Sequence, residues 1–191
     1  MRLAAHELHD LNELTLSCVN SITNMGLFIN QAQDPELKAM LMRHYPYHIR
    51  DYNKKVEYLQ ETEGSRAPFP VPDLNSNMEN FAQSPAPPAP PVTPRTNAQT
   101  LNDREIATAY LLNLKRAGRE YAWATMEMSH PDLRQFLEDA FRMSARHAYD
   151  CWQYMAKKGW YPLQPAPQVA IQTLAGMYNL VPEQTSPNVV M

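Results

Sequence analysis

His44 and His48 are the residues whose type and spacing could do chemistry. Four apart on a helix, they share a face, and they fall on or beside an apolar stripe between Leu41 and Tyr52. A metal centre in the core of a helical bundle takes one Glu from the first helix of each hairpin and a Glu-x-x-His from the second. No Glu-x-x-His occurs on the second or fourth predicted helix, and position 144, three before His147, is Ser144. Glu7, Glu13, Glu120 and Glu127 are available on the first and third helices. The candidate metal ligands are therefore His44, His48 and Glu127, an incomplete set. The alternative is a pair of hydrogen-bonded, half-buried histidines beside Pro46. No cofactor is expected.

The other chemically suggestive residues carry less. His6 and His9 with Asp10 read as a solvated helix end. Ser17 and Cys18 lie in mid-helix facing the core, a poor place for a nucleophile. Five glycines leave no phosphate-cradling loop. Lys115, Arg116 and Arg119 form a short basic face that solvation or pairing with glutamates explains. Cys18 and Cys151 are too few for a disulfide framework and read as buried thiols.

These residues must be positioned by helices. The 191-residue chain has 44% hydrophobic residues and a net charge of -3, without long blocks of either sign. It can bury a core, and it lacks the basic patch expected of a nucleic-acid binder. No run approaches the ~20 apolar residues of a membrane helix, and the N-terminus, with His6, Glu7, His9 and Asp10, lacks a secretory apolar segment.

The first helix is predicted over Leu3 to Gln31, with Leu8, Leu11, Thr15, Cys18, Ile22, Met25 and Ile29 on one face. Asp34-Pro35 then supplies a cap and a first-turn proline. The second helix runs from Pro35 to about Gln60 on Leu37, Met40, Leu41, Tyr45, Tyr52, Val56 and Leu59, with a kink or a break at Pro46. Asn102 and Glu105 have capping-box spacing, flanked by Leu101 and Ile106 as a staple. The third helix follows on Ile106, Tyr110, Leu114, Ala117, Tyr121, Ala124 and Met128. The fourth begins at Ser129-His130-Pro131-Asp132 and carries Leu133, Phe136, Leu137, Ala140, Phe141, Ala148, Cys151, Trp152 and Met155 inward.

Nine of the 17 prolines fall between Gly64 and Thr100, a linker that is extended and semi-rigid in its second half and whose Phe69, Leu74 and Phe81 can dock locally. Asp34-Pro35-Glu36-Leu37-Lys38 aligns with His130-Pro131-Asp132-Leu133-Arg134 at an offset of 96, and the offset continues to pair Leu41 with Leu137, Tyr45 with Phe141, Arg50 with Arg146 and Tyr58 with Tyr154. This is a duplicated helical hairpin. It places Ala140 and Ser144 opposite His44 and His48. A lone hairpin cannot bury its apolar face, so the expected fold is all-α, a four-helix bundle of two hairpins. The linker has to cross its length, ~35–40 Å at 1.5 Å per residue. The expected organisation is a hairpin over 1–63, a linker over 64–100, a second hairpin over 101–161 and a proline-punctuated tail over 162–191. In the tail, Val169 to Tyr178 is a candidate short helix laid on the bundle, and Thr185 to Met191 reads as free.

The fourth helix ends in a readable stop. Lys157 and Lys158 complement its C-terminal dipole. Gly159 can take the left-handed conformation, Trp160 can pack back on Met155, and prolines forbid continuation. Tyr154-Met155, Gly159-Trp160-Tyr161 and Gln164-Pro165-Ala166-Pro167 resemble the C-terminal signature of the spore coat protein F family. The resemblance extends back through Ser129 to Arg134 and to about Leu101, one third of the chain. It implies a ferritin-like bundle and a non-catalytic structural role in the bacterial endospore coat, with other coat proteins, and further copies of the chain, as partners. Tyr45, Tyr47, Tyr52, Tyr58, Trp160, Tyr161 and Tyr178 exceed what one core needs, and surface aromatics favour interfaces. The expected contact surface is Trp160, Tyr161, Gln164, Pro165 and Pro167. Two other readings stand beside it. One is a ferritin-like metal-binding protein or small peroxide-handling enzyme. The other is an adaptor whose proline segment, 84–94, is gripped by an aromatic groove.

Overall fold

In the computed structural model, residues 3–62 and 67–182 are described. Gly64, where the linker was expected to open, and the tail from Thr185 to Met191 lie outside them. Four long helices and one short one form: α1 (Ala5–Gln31), α2 (Pro35–Leu59), α3 (Asp103–Glu127), α4 (Pro131–Lys157) and α5 (Gln168–Ala175). No strand occurs among the described residues.

The helix starts follow local chemistry. The Asp34 carboxylate accepts from the N–H groups of Glu36 (2.8 Å) and Leu37 (3.3 Å). Asn102 and Glu105 close their box reciprocally, at 3.0 and 2.8 Å. His130 Nδ1 accepts from the Asp132 N–H at 3.2 Å. At the end of α4, Gly159 has φ 69°. Trp160 N–H reaches the Met155 carbonyl at 2.9 Å and Gly159 N–H that of Ala156 at 3.1 Å, both bonds of a Schellman cap. α2 runs unbroken through Pro46.

α1 packs on α2 and α3 on α4, and the hairpins join through α1–α3 and α2–α4 contacts. The order around the bundle is therefore α1, α2, α4, α3. Asp103 accepts from the backbone of Gln33 and Asp34, so α3 starts beside the α1–α2 turn, parallel to α2. The Lys158–Asp34 ion pair (2.6 Å) brings the end of α4 to the same place. At the other end, Glu7 pins α1 to the α3–α4 turn. Its carboxylate accepts from Ala4 N–H (2.7 Å), Ser129 N–H (2.9 Å), Ser129 Oγ (2.8 Å) and His130 N–H (2.9 Å). Burial raises its pKa, but these four donors outweigh it and bring the carboxyl down to about 2.

The inward faces differ from the predicted stripes. α1 buries Glu7, Leu11, Leu14, Cys18, Ser21, Met25 and Phe28, and Leu8 is exposed. α2 buries Leu37, Leu41, His44, His48, Asp51, Lys55 and Tyr58 along one line, with Met40 and Lys54 buried beside it. Both series alternate steps of three and four, the 3.5-residue seam of near-parallel packed helices. The sequence reading followed the apolar residues Tyr52, Val56 and Leu59 off that seam. On α4, Phe141 is likewise exposed, while Met143, Ser144 and His147 are buried. Residues 107–125 of α3 keep the predicted face, with Tyr110, Leu114 and Tyr121 at its centre.

The linker is a strap laid along the bundle. Phe69 is buried and meets Phe136 edge-on at 5.5 Å. The Pro72 carbonyl accepts from Arg146, and Gln153 pairs with the backbone of Asn75 and Asn77 at 3.0 and 2.8 Å. Met78 is buried, whereas Leu74 and Phe81 are exposed. The strap thus covers the α2–α4 side. Its proline run then crosses the end of α4, where Ala89 N–H donates to the Gly159 carbonyl at 2.9 Å. A Cβ on Gly159 would lie 2.1 Å from the Pro87 carbonyl oxygen, so only glycine permits this crossing. α5 is not laid on the bundle: none of its residues is buried. Its apolar side chains project from an arm held off by Pro162, Pro165 and Pro167.

Candidate functional site: two buried polar clusters

The seam positions of α2 carry two polar clusters, one above the other in the core. The first contains His44 and His48. Both are buried rather than half-buried, because they occupy the seam and face partners on α3 and α4. His44 Nε2 lies 3.1 Å from Asp150 Oδ2, and its Nδ1 lies 3.0 Å from the Tyr110 hydroxyl. His48 Nε2 lies 3.1 Å from the same hydroxyl. A carboxylate only accepts, so His44 Nε2 carries the proton and Nδ1 accepts from Tyr110. The Tyr110 oxygen then accepts from His48 Nε2–H. The result is a single chain, His48 to Tyr110 to His44 to Asp150, running from the core to a partly exposed carboxylate.

His147 completes the cluster. Its ring stacks on His44 at 3.7 Å between centroids and 9° between planes, and Tyr47 meets it edge-on at 5.4 Å. Neither ring nitrogen has a hydrogen-bond partner among the described residues. Burial lowers the pKa of all three imidazoles, His48 to about 4, against the opposing pull of Asp150 on His44 and of Asp51 on His48. The rings are neutral at pH 7. Parallel stacking turns His44 and His147 side by side instead of converging them on one point, and both His44 nitrogens are already engaged.

The second cluster lies two turns further along α2. Asp51 accepts from three donors: Lys55 Nζ, the Tyr121 hydroxyl (2.6 Å) and the Cys18 thiol (3.0 Å). Lys55 Nζ also reaches Cys18 Sγ at 3.3 Å and the Tyr121 oxygen at 3.1 Å, and sits 4.8 Å from the Tyr121 ring centroid. Asp51 and Lys55 are fully buried. For Asp51, burial raises the pKa but the Lys55 charge outweighs it, so the group is held below the usual carboxylate range. For Lys55, burial lowers the pKa but Asp51 outweighs it, so the ammonium is held charged. Burial, then the Asp51 charge, pushes the Cys18 thiol up to about 12, which makes it an inert donor. Three helices contribute, and every polar atom of the pair has a partner, the condition for a buried charge pair to be tolerated.

The sequence reading missed Asp51, Lys55, Tyr110, Tyr121, His147 and Asp150. A signal was present: the offset of 96 sets Asp51 against His147 and Lys55 against Cys151, so the polar seam recurs in both hairpins. The small Ala140 and Ser144 stand opposite His44 and His48 in the same register, and both are buried.

The remaining predicted residues are dispersed. Glu127 ends α3, seventeen positions beyond Tyr110, ~25 Å at helical rise. Its backbone carbonyl lies 3.0 Å from His6 Nε2, and it does not join the histidines. Trp160 is half-buried, meeting Tyr154 edge-on at 5.7 Å. Tyr161 lies under Lys115, with Nζ 4.8 Å from its ring centroid. Both line an open groove with Val92, Leu112 and Met155. Gln164, Pro165 and Pro167 are exposed. The proline segment proposed for an external groove lies against its own chain, at Pro162 to Gln164.

Residues 102–164, the second hairpin and its Gly159 stop, match the Coat F domain. The chain is similar to the spore coat protein F-like protein YhcQ of Bacillus subtilis (strain 168), 22% identical over 178 residues, which cover 91% of this chain and 78% of that one. The crystal structure of a protein from Bacillus halodurans C-125, described as a putative spore coat protein, superposes with a TM-score of 0.61 at 16% identity, covering 87% of this chain and 95% of the other. That likeness establishes the helical-bundle fold. The second hairpin thus matches the Coat F domain, and the chain as a whole is similar to a spore coat protein F-like protein.

Proposed function

We propose that this protein is a non-catalytic structural component of the bacterial endospore coat, a two-hairpin bundle packing against other coat proteins through aromatic surface. One observation carries the reading: the chemically able groups are turned inward onto one another, while a further set of aromatic and apolar groups, beyond those that fill the core, stands at the surface. Cys18, Asp51, Lys55 and Tyr121 are at most 4% exposed, while Trp123, Phe81, Tyr161 and Tyr178 stand at the surface. The Coat F match and the likeness to YhcQ support the location. No described helix is long and apolar enough to cross a membrane. The division into hairpins over 1–63 and 101–161, a strap and a tail accounts for the duplicated caps, and one long crossover is the connectivity of ferritin-like bundles.

The contact surface in this reading is the groove at Trp160 and Tyr161, continued by Gln164, Pro165 and Pro167. Changing Trp160 and Tyr161 together to Ala should sharply reduce recovery of the protein in isolated coats. Trp160 also packs on Tyr154, so the single Tyr161→Ala change, at an exposed position, serves as the fold-neutral arm. Normal incorporation of both variants would remove this surface from the reading.

A second reading, a ferritin-like metal-binding or peroxide-handling protein, draws on the unpartnered nitrogens of His147 beside His44 and His48. Elemental mass spectrometry after loading with iron, manganese or zinc separates the two. Stoichiometric metal lost on changing His44 and His48 to Ala would favour the second.

A further inference from the structure

α1 carries two lines of side chains, and the bundle uses one of them. The buried line, Glu7 to Phe28, faces α2 and α3. On the opposite face Leu16, Asn20, Thr23, Leu27 and Asn30 are exposed. They alternate steps of four and three, the spacing of a second helix-packing seam. Leu16 is 56% exposed, Leu27 52% and the adjacent Val19 49%. The charge pattern marks the same stretch. Residues 14–33 contain no charged residue, in a chain that is 19% charged. The solvent faces of the other long helices do carry charges: Arg43 and Arg50 on α2, Arg119 and Glu127 on α3, Glu138 and Arg142 on α4. Water imposes no such restriction on a helix face. Burial against another surface does, because each unpaired charge there would lose its hydration.

We propose that this outer line of α1 is a dimer interface, packed antiparallel on α1 of a second copy about a two-fold axis between Ser21 and Ile22. Register selects the second copy. Across that axis Leu16 meets Leu27 of the second copy, Asn20 meets its Thr23, and Asn30 meets its Glu13, whose carboxylate can accept from the Asn30 amide. Apolar meets apolar and polar meets polar, and symmetry repeats each contact. Moving the axis to Thr23 would set Leu16 against Asn30 and lose the match.

Other occupants fit less well. The line from Leu16 to Asn30 is ~21 Å long at helical rise, and the eight residues of α5 span ~12 Å, so the chain's own arm covers little more than half of it. A helix lying on a membrane surface sets Lys and Arg beside its apolar side chains, and this stretch has neither. The contact is isologous and closes as a dimer. Four turns of one helix make a small interface, so it forms reversibly with concentration. The surface is separate from Trp160 and Tyr161, so this proposal and the coat reading can fail independently.

The test is sedimentation equilibrium of the full-length protein across rising concentration. The parent should pass from monomer to dimer and stop there. Leu16→Glu and Leu27→Lys should each weaken association by about tenfold or more, since each sets two charges against leucines. Both positions are exposed, so helicity and melting temperature should match the parent. An equimolar mixture of the two variants should dimerise again. In the mixed pair the new carboxylate faces the new ammonium, and the other Leu16–Leu27 contact is intact. A parallel pairing sets each position against itself and gives no such rescue. A parent that stays monomeric overturns the proposal, whether the arm or a foreign protein covers the line. So does a single variant that dimerises as well as the parent, or a mixture that shows no rescue.

Discussion

Replacing Lys55 with Met tests whether the second cluster is a satisfied ion pair or an incidental one. The methionine keeps the stem's volume but removes the ammonium. Asp51 then retains only the Tyr121 hydroxyl and the Cys18 thiol as donors, in a fully buried position. Breaking a buried pair by removing one partner costs about 3–5 kcal/mol. For a chain of this size that lowers the melting temperature by about 6–20 °C. The pH response carries a sign. In the parent, Lys55 holds the Asp51 pKa low. In the variant, burial without that charge raises it above its unfolded value. Stability tied to the neutral acid is then present at low pH and lost as pH rises through the raised pKa. The variant's deficit should therefore be largest at neutral pH and shrink on acidification, as read from denaturant midpoints at pH 4 and pH 7. Removing both charges with Asp51→Leu and Lys55→Met should recover most of the loss, to within about 2 kcal/mol of the parent, since Tyr121 and Cys18 keep each other as partners. A single variant as stable as the parent, or a double variant no better than the single, would refute the argument.

Three further outcomes are expected. His48 is held near 4 by burial, beside His44, His147, Asp51 and Lys55. A depressed pKa contributes stability present above 6.5 and lost as pH falls toward 4, so the parent should weaken across that window. His48→Leu should make the profile shallower without abolishing it, since His44 and His147 are lowered by burial as well, as measured by melting temperature between pH 7 and pH 4. Gly159→Ala places a Cβ against Pro87 at positive φ. It should destabilise by about 1–3 kcal/mol, and limited proteolysis should show faster cleavage between Ser84 and Pro91. Cys18, buried with its pKa near 12, should resist iodoacetamide at pH 8 in the folded protein and react on denaturation, followed by mass spectrometry of the peptide that contains it.

The sequence by itself determined where the helices start and stop. Asp34, Asn102 with Glu105, and Gly159 act on backbone groups within a few residues, so their meaning is local. The choice of inward face was not local. His44, His48, Asp51 and Lys55 look like a polar interruption of α2 until Tyr110, Tyr121, Asp150 and Cys18, supplied by three other helices, are set against them. A buried charge is tolerable only with those partners, so the apolar residues alone pointed to a stripe rotated off the true seam. The linker's composition showed extension and nothing of its path, which Arg146, Gln153 and the bare backbone of Gly159 dictate from α4 and its end. The exposure of α5 and of the α1–α3 side is likewise a tertiary outcome, because it depends on which faces the bundle and its strap had already consumed.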